Sequence, residues 1–499
     1  MLGENKPLVA PFSKVLVANR GEIAIRVFRT LRELGIGTVA VYSEADRAAL
    51  HVSYADEAYL LGPGAPGESY LNPERILEAA RRAGAEAIHP GYGFLAENAG
   101  FARVCAEVGI VWIGPPPEAI DLMGSKIAAR DRMRAAGVPI IPGTTEPVDS
   151  VDEIVALGDE HGWPLAIKAS AGGGGKGLKV VRSPDEAERA LQSAQREGAS
   201  YFADATVYVE RFLEDPRHVE IQVLADRHGN VVHLGERDCT IQRRHQKLVE
   251  ETPSPAVDPA LRERIGAIAV EAARAVGYES AGTIEGLLSR EGDYYFLEMN
   301  TRIQVEHTVT ELVTGVDLVR EQVLIAAGEP LSIEQATLSF AGHAIECRIN
   351  AEDAANGFRP GPGTITAYRE PSGPGVRVDS GVVEGSEVSG LYDPMIAKLC
   401  VLGRDREHAR RRMLRALDEF VIEGVPSLLG FHRALLSHPC FIAGETCHGL
   451  VESELTAKAA AESAPSRRRP TPRAAVGLRE RVLPVEVDGR RFEVRLPEA

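Results

Sequence analysis

Between Glu298 and His307 the chain reads Glu-Met-Asn-Thr-Arg-Ile-Gln-Val-Glu-His, which spaces Glu298, Asn300, Arg302, Gln304 and Glu306 two residues apart. In an extended strand, alternate side chains share a face, so this run would be polar on one side. A solvated strand face accounts for the alternation but not for the chemical types. Two carboxylates and an amide oxygen are hard ligands suited to Mg²⁺, and an arginine matches the flat, bidentate outline of a carboxylate or bicarbonate. A straight strand would spread Glu298 and Glu306 over roughly 26 Å at about 3.3 Å per residue, too far for one triphosphate site. The chain is therefore expected to bend after Asn300, with metal ligands before the bend and substrate contacts after it. Glu285 lies 13 positions before Glu298, with the turn-like Ser-Arg-Glu-Gly-Asp between them. Paired strands would set the two carboxylates face to face around a cation, although the spacing fits an exposed strand glutamate equally well.

Two further segments carry charge or open backbone. Ala-Gly-Gly-Gly-Gly-Lys-Gly, residues 171–177, follows Ile167-Lys168. Backbone free of side chains can bring N–H groups against phosphates. No GK[ST] follows, so this is not a Walker loop, and a flexible turn is the plain alternative; Lys168 beside it favours phosphate. Arg237 to Lys247, RDCTIQRRHQK, concentrates positive charge in a chain of net charge −16. A surface basic patch and an anion site fit it equally.

The elements that must position these groups show in the apolar periodicity. Residues 14–46 alternate a short apolar run, a helical pattern ending in Gly35 and Gly37, and a β-branched run, and residues 85–117 repeat the plan. Such βαβ units predict a parallel, Rossmann-like sheet domain over residues 12–120. A nucleotide-binding α+β domain is expected over 121–335, with a mobile lid at about 135–210, and an α+β C-terminal domain over 336–450. The fold class expected is thus multidomain α/β and α+β. Residues 451–499, rich in Ala, Ser, Pro and Arg, predict a linker and the start of a following module, with a hairpin signal at Asp488-Gly489.

At 499 residues the chain exceeds what one core supports. Its 44% apolar and 26% charged residues include no run of about 18 apolar residues, which argues against a membrane protein. The negative charge argues against nucleic acid as a partner. The first residues carry no signal-peptide pattern, so a cytoplasmic location is expected. The six cysteines form no CxxC pair and read as reduced thiols.

Seven segments together resemble the biotin carboxylase branch of the ATP-grasp superfamily: KVLVANRGEIAIRVFR, HPGYGFLAENAGFA, IKASAGGGGKG, PRHVEIQVL, ERDCTIQRRHQKLVEE, FLEMNTRIQVEHTVTE and ECRINAED. The likeness runs from about residue 13 to about residue 450 and is nearest to the α subunits of acyl-CoA carboxylases, with pyruvate carboxylase next. The resemblance implies carboxylation of carrier-borne biotin with ATP and bicarbonate through carboxyphosphate, with Mg²⁺ or Mn²⁺. It further implies that Lys126, Lys168, Gly174 and Gly175 hold ATP phosphates, and that Glu210, Arg211, Phe212, Leu213, His218 and His245 line the nucleotide pocket. Glu285, Glu298 and Asn300 would ligate the metal. Lys247, Arg302, Gln304 and Val305 would hold bicarbonate, Glu306 would be its base, and Arg348 would face the biotin ureido oxygen. Expected partners are a biotin carboxyl carrier, a second copy of the chain and a carboxyltransferase subunit.

Two positions depart from the pattern: Gly286 where a bulkier residue is common, and Thr308 where many acyl-CoA carboxylases have proline. Thr308 is a pyruvate-carboxylase-like feature. An ATP-grasp ligase joining a carboxylate to an amine or thiol is the competing enzyme, and RRHQK with RIQVEH speaks against it. A scaffolding protein that has lost catalysis is disfavoured because no reacting residue is replaced.

Biotin acceptor domains in the family present Met-Lys-Met or Met-Lys-Leu, and none of the six methionines here adjoins a lysine. The chain is therefore expected not to be biotinylated, its carrier being cut off or separate. Coexpression with a biotin ligase should leave a blank streptavidin blot; a stoichiometric signal would disprove this.

Overall fold

The strand Lys14–Val17 (β1) carries three buried apolar residues in succession, the pattern of a strand covered on both faces. With Gly37–Ser43 (β2), Glu57–Gly62 (β3), Ala87–His89 (β4) and Val111–Trp112 (β5) it forms a parallel sheet of order β3-β2-β1-β4-β5. The helix Gly21–Glu33 buries Ile23, Ala24, Val27, Phe28 and Leu31, positions three and four apart on one face. The structure is a computed structural model that describes residues 10–144, 146–169, 178–202, 205–453, 458, 480–487 and 490–497.

A small antiparallel sheet, Leu165–Ala169 (β6), Leu178–Val181 (β7) and Val207–Arg211 (β8), has the order β7-β6-β8 and a core of its own. The glycine run joins β6 to β7, and it lies outside the described residues.

The third sheet holds the candidate site. Arg217–Ala225 (β9), Val231–Arg243 (β10), Gln246–Thr252 (β11), Ser280–Leu288 (β12), Tyr294–Asn300 (β13) and His343–Asn350 (β14) are joined by Met395–Gly403 and Val376–Ser380. The order is β13-β12-β9-β10-β11-β14, then 395–403, then 376–380, all antiparallel. The pairing of β11 with β14 carries one sheet across residue 335. One apolar cluster also spans the first and third sheets, joining Val15, Val17 and Phe28 to Leu224, Ala281, Ile303 and Leu318. The parallel first sheet, the large antiparallel sheet and the following C-terminal segment make up the multidomain class expected.

Two features of the C-terminal part stand apart. The strands Glu480–Val487 and Arg490–Pro497 pair antiparallel about residues 488 and 489, where the hairpin signal lay. The cysteines correct an expectation: Cys440 and Cys447 form a disulfide with their Cα atoms 5.7 Å apart, whereas Cys105, Cys239, Cys347 and Cys400 are buried free thiols. The short helix Pro439–Ala443 and the turn after it fold the pair together, which no CxxC spacing announces. Among the described residues no helix is long and apolar enough to cross a membrane.

The departure at Gly286 has a packing reason. A Cβ there would lie 2.2 Å from the ring of Tyr294, which is buried and donates its hydroxyl to the Ile284 carbonyl at 3.3 Å. Gly286→Ala should cost about 1–3 kcal/mol, as overpacking does. A lowered urea midpoint checks it, and an unchanged one would show that the ring can move.

Candidate active site

Glu285 and Glu298 are direct partners in the β12–β13 ladder, so the two carboxylates do stand on facing strands. The strand β13 ends at Asn300 and the helix His307–Thr314 begins seven residues later, so the polar run turns where the bend was expected. Glu97, from the first sheet's segment, accepts from the Thr301 backbone N–H and from Arg302 Nε, both at 3.0 Å, while Arg302 Nη2 donates to Asn300 Oδ1 at 2.8 Å. These bonds hold Arg302 at the turn.

Lys247 is the hub of the site. Its Nζ lies 2.5 Å from Glu220 Oε2, 2.9 Å from Glu285 Oε1 and 2.7 Å from Glu306 Oε1. Glu285 Oε1 also accepts from Asn300 Nδ2 at 2.7 Å and Gln304 Nε2 at 2.6 Å, and its Oε2 is 2.7 Å from His218 Nε2. Glu306 Oε2 accepts from Arg348 Nη2 at 2.8 Å. Burial alone would raise the Glu306 carboxyl, but Lys247, Arg348 and Arg237 outweigh it and hold the group well below the usual carboxylate range. Glu285 is likewise held down against burial by Lys247 and His218. Burial opposes the charge on Lys247, and Glu220 and Glu306 more than restore it, pushing the ammonium well up.

The basic run is not a surface patch. Arg237 is fully buried: its Nε donates to Glu220 Oε1 at 2.6 Å, Nη1 to Gln222 Oε1 at 2.7 Å, and Nη2 to Gln304 Oε1 at 2.7 Å. Only the hairpin tip, Arg244 and His245, is exposed, and both residues there take positive φ, as a tight two-residue turn between paired strands requires. Glu220, Gln222, Arg237, Glu250 and Glu97 were not singled out from the sequence. For the first two, the alternation of His218, Glu220 and Gln222 on one strand was the available signal.

A cavity of about 1410 Å³ is lined by Lys168, Glu210, Arg211, Phe212, Leu213, His218 and His245. The same cavity is lined by Lys247, Glu285, Glu298, Asn300, Arg302, Gln304, Val305, Glu306 and Arg348. Lys168 pairs with Glu210, which also receives Arg130 at 3.3 Å. The side chain of Lys126, and Gly174 and Gly175, lie outside the described residues. Glu285, Glu298 and Asn300 fit a hard divalent cation: Glu285 is kept anionic, Glu298 faces it across the ladder, and all three offer oxygen to the same cavity.

Three family models match the chain: "Biotin carboxylase, N-terminal domain" over residues 11–120, "Carbamoyl-phosphate synthase L chain, ATP binding domain" over 125–334, and "Biotin carboxylase C-terminal domain" over 346–453. A pyruvate carboxylase subunit of Methanothermobacter thermautotrophicus is 58% identical over 87% of this chain and 88% of its own. The biotin-dependent acyl-coenzyme A carboxylase alpha3 subunit of Mycobacterium leprae is 48% identical over 97% of this chain and 81% of its own. Among solved structures, the biotin carboxylase domain dimer of Hydrogenobacter thermophilus 2-oxoglutarate carboxylase, in complex with MgADP, ADP and bicarbonate, has a TM-score of 0.82 and 48% identity, covering 89% of this chain and 98% of that one.

Arg237 is one of two cations on Glu220, and its loss leaves Glu220 Oε1 and the Gln222 and Gln304 oxygens without a buried donor. Arg237→Met should therefore lower stability by about 3–5 kcal/mol, read as a drop in the urea midpoint. A midpoint equal to wild type would show that Lys247 alone balances Glu220.

Proposed function

The chain belongs to the biotin carboxylase family and is an ATP-dependent ligase of it; from that premise we propose that it carboxylates carrier-borne biotin as the first half-reaction of an acyl-CoA carboxylase. The observation that carries the reading is the convergence of Lys247, Arg302, Glu306 and Arg348 on one cavity with a carboxylate pair beside it. The match to an acyl-CoA carboxylase alpha3 chain over 97% of this one supports the acyl-CoA assignment. A pyruvate-carboxylase-type acceptor is the second reading, favoured by Thr308 and by the 58% identity to a protein of that type. A biotin carboxyl carrier, a carboxyltransferase and a second copy of the chain are the partners this assigns.

In this reading bicarbonate lies between Arg302 and Lys247, near Gln304 and Val305, and Glu306 takes its proton as its oxygen attacks the γ-phosphorus. Resting Glu306 is a weak base because Lys247 and Arg348 clamp both its oxygens. An arriving anion shares those cations, and that raises the basicity of Glu306 just when a base is needed. Lys168, with Lys126 and the glycine run, takes the phosphates, while residues 210–213 with His218 and His245 line the nucleotide end. Glu285, Glu298 and Asn300 would hold Mg²⁺, which would supply neutralisation of phosphate charge. Carboxyphosphate then breaks down to CO₂ and phosphate inside the closed site, the phosphate takes the biotin N1 proton, and Arg348 stabilises the ureido enolate.

Glu306→Gln is isosteric and should fold, yet lose about 10²–10⁴-fold in bicarbonate-dependent ATP cleavage, the usual worth of a general base. Steady-state phosphate release with and without biotin measures it, and wild-type turnover would remove Glu306 from the mechanism. Stimulation by free amino acids in place of biotin would instead favour a different ATP-grasp ligase.

A further inference from the structure

Glu250 on β11 and Glu346 on β14 are direct cross-strand partners, and both side chains are fully buried. Paired residues of adjacent strands point to the same face, so the two carboxylates are neighbours in a dry sheet. Each has one oxygen occupied. Glu250 Oε1 accepts from Arg348 Nε at 2.6 Å, and Glu346 Oε2 accepts from Thr308 Oγ1 and, at 3.4 Å, from Cys400 Sγ. The other two, Glu250 Oε2 and Glu346 Oε1, have no hydrogen-bond partner among the described residues. Two ionised carboxylates in that position would repel each other, and each orphaned oxygen would carry its full desolvation cost. One proton between them removes the repulsion and satisfies both oxygens.

We propose that Glu250 and Glu346 share a single proton, carried on Glu346 Oε1 and donated to Glu250 Oε2, and that this pair positions Arg348 by keeping Glu250 anionic against its guanidinium. The placement follows from the partners: Glu250 faces a cation, which favours its charge, whereas Glu346 Oε2 faces a hydroxyl and a thiol. Burial, opposed by Arg348 and reinforced by Glu346, pushes the Glu250 carboxyl up, and burial pushes Glu346 up against Lys398 and Arg348. The charged and titratable groups around the pair are Arg348 and the Cys347 thiol on β14, Glu306 at the turn, the Cys239 thiol on β10, and Lys398 and the Cys400 thiol on the strand 395–403.

The consequence for catalysis rests on the reading of Arg348 as the arginine that faces biotin. Doubly ionised, the pair would add a third carboxylate to Glu250 and Glu306 around Arg348 and use up the charge an ureido enolate needs. With one proton, two carboxylates remain. Loss of that proton at alkaline pH should therefore lower biotin-dependent turnover while the fold persists.

Infrared difference spectra of the whole chain test the pair directly. At neutral pH, wild type minus Glu346→Gln should show the C=O band of a protonated carboxylic acid, shifted in D₂O, because the glutamine amide replaces the acid as donor to Glu250. Glu250→Gln is the second variant: its amide donates to Glu346, which then ionises, so the band should vanish there too. An acid band intact in both variants, or absent from wild type, overturns the proposal. In biotin-dependent turnover the alkaline fall of wild type should move to higher pH in Glu346→Gln, and Glu250→Ala, which strands Arg348 Nε, should lose about 10- to 100-fold, as loss of a supporting hydrogen bond does. Should the reading of Arg348 be wrong instead, the band would still disappear while turnover with biotin stayed unaffected.

Discussion

Taking an ammonium and three carboxylates out of water costs several kcal/mol per ion, and the contact of Lys247 with Glu220, Glu285 and Glu306 offsets that cost only because each acid has further donors. Arg237 serves Glu220, Asn300 and Gln304 serve Glu285, and Arg348 serves Glu306. Those groups come from β9, β10, β11, β12, the end of β13 and the turn after it, and β14. A one-residue slip in any of these strands would turn its contribution to the opposite face and leave a charge stranded. The ion cluster and the register of the sheet's middle strands therefore depend on each other.

The same cluster explains how the site can receive anions. Its cations Lys247, Arg302 and Arg348 are each paired with carboxylates, which offsets part of the cost of burying them. In the proposed function, bicarbonate and phosphates would compete with those carboxylates for Lys247, Arg302 and Arg348, and the acids that lose part of their partners would become better bases or freer metal ligands. On that proposal Glu306 would undergo the first of these changes, and Glu285 with Glu298 the second. The shared proton proposed for Glu250 and Glu346 belongs to the same balance, one layer further from the cavity.

Continuity between the parts of the chain matters as much as the site's own residues. Arg348 reaches Glu306 because β14 pairs with β11, and Arg302 is held by Glu97 from the first sheet's segment. The apolar cluster that joins Val17 and Phe28 to Leu224 and Ile303 fixes the first sheet against the third.

Much of this was legible in residue types and spacing. The period-two run from Glu298 to Glu306 and the need for a bend after Asn300 follow from strand geometry and from the reach of one triphosphate, the pairing of Glu285 with Glu298 was one of two readings their spacing allowed, and the βαβ pattern specifies a parallel sheet. These are local properties, set by the alternation of side chains along a strand and by helical periodicity. What a strand lies beside is not local. The burial of Arg237 in a run that fits a surface patch and an anion site equally, the support of Glu220, Glu250 and Glu97, the Cys440–Cys447 pair, and the single sheet running through residue 335 were decided by tertiary structure. The physical reason is that a charge's partners lie on other segments, about a hundred residues away for Glu250 and Arg348 and about two hundred for Glu97 and Arg302, and one sequence records each strand's own faces but not its neighbours.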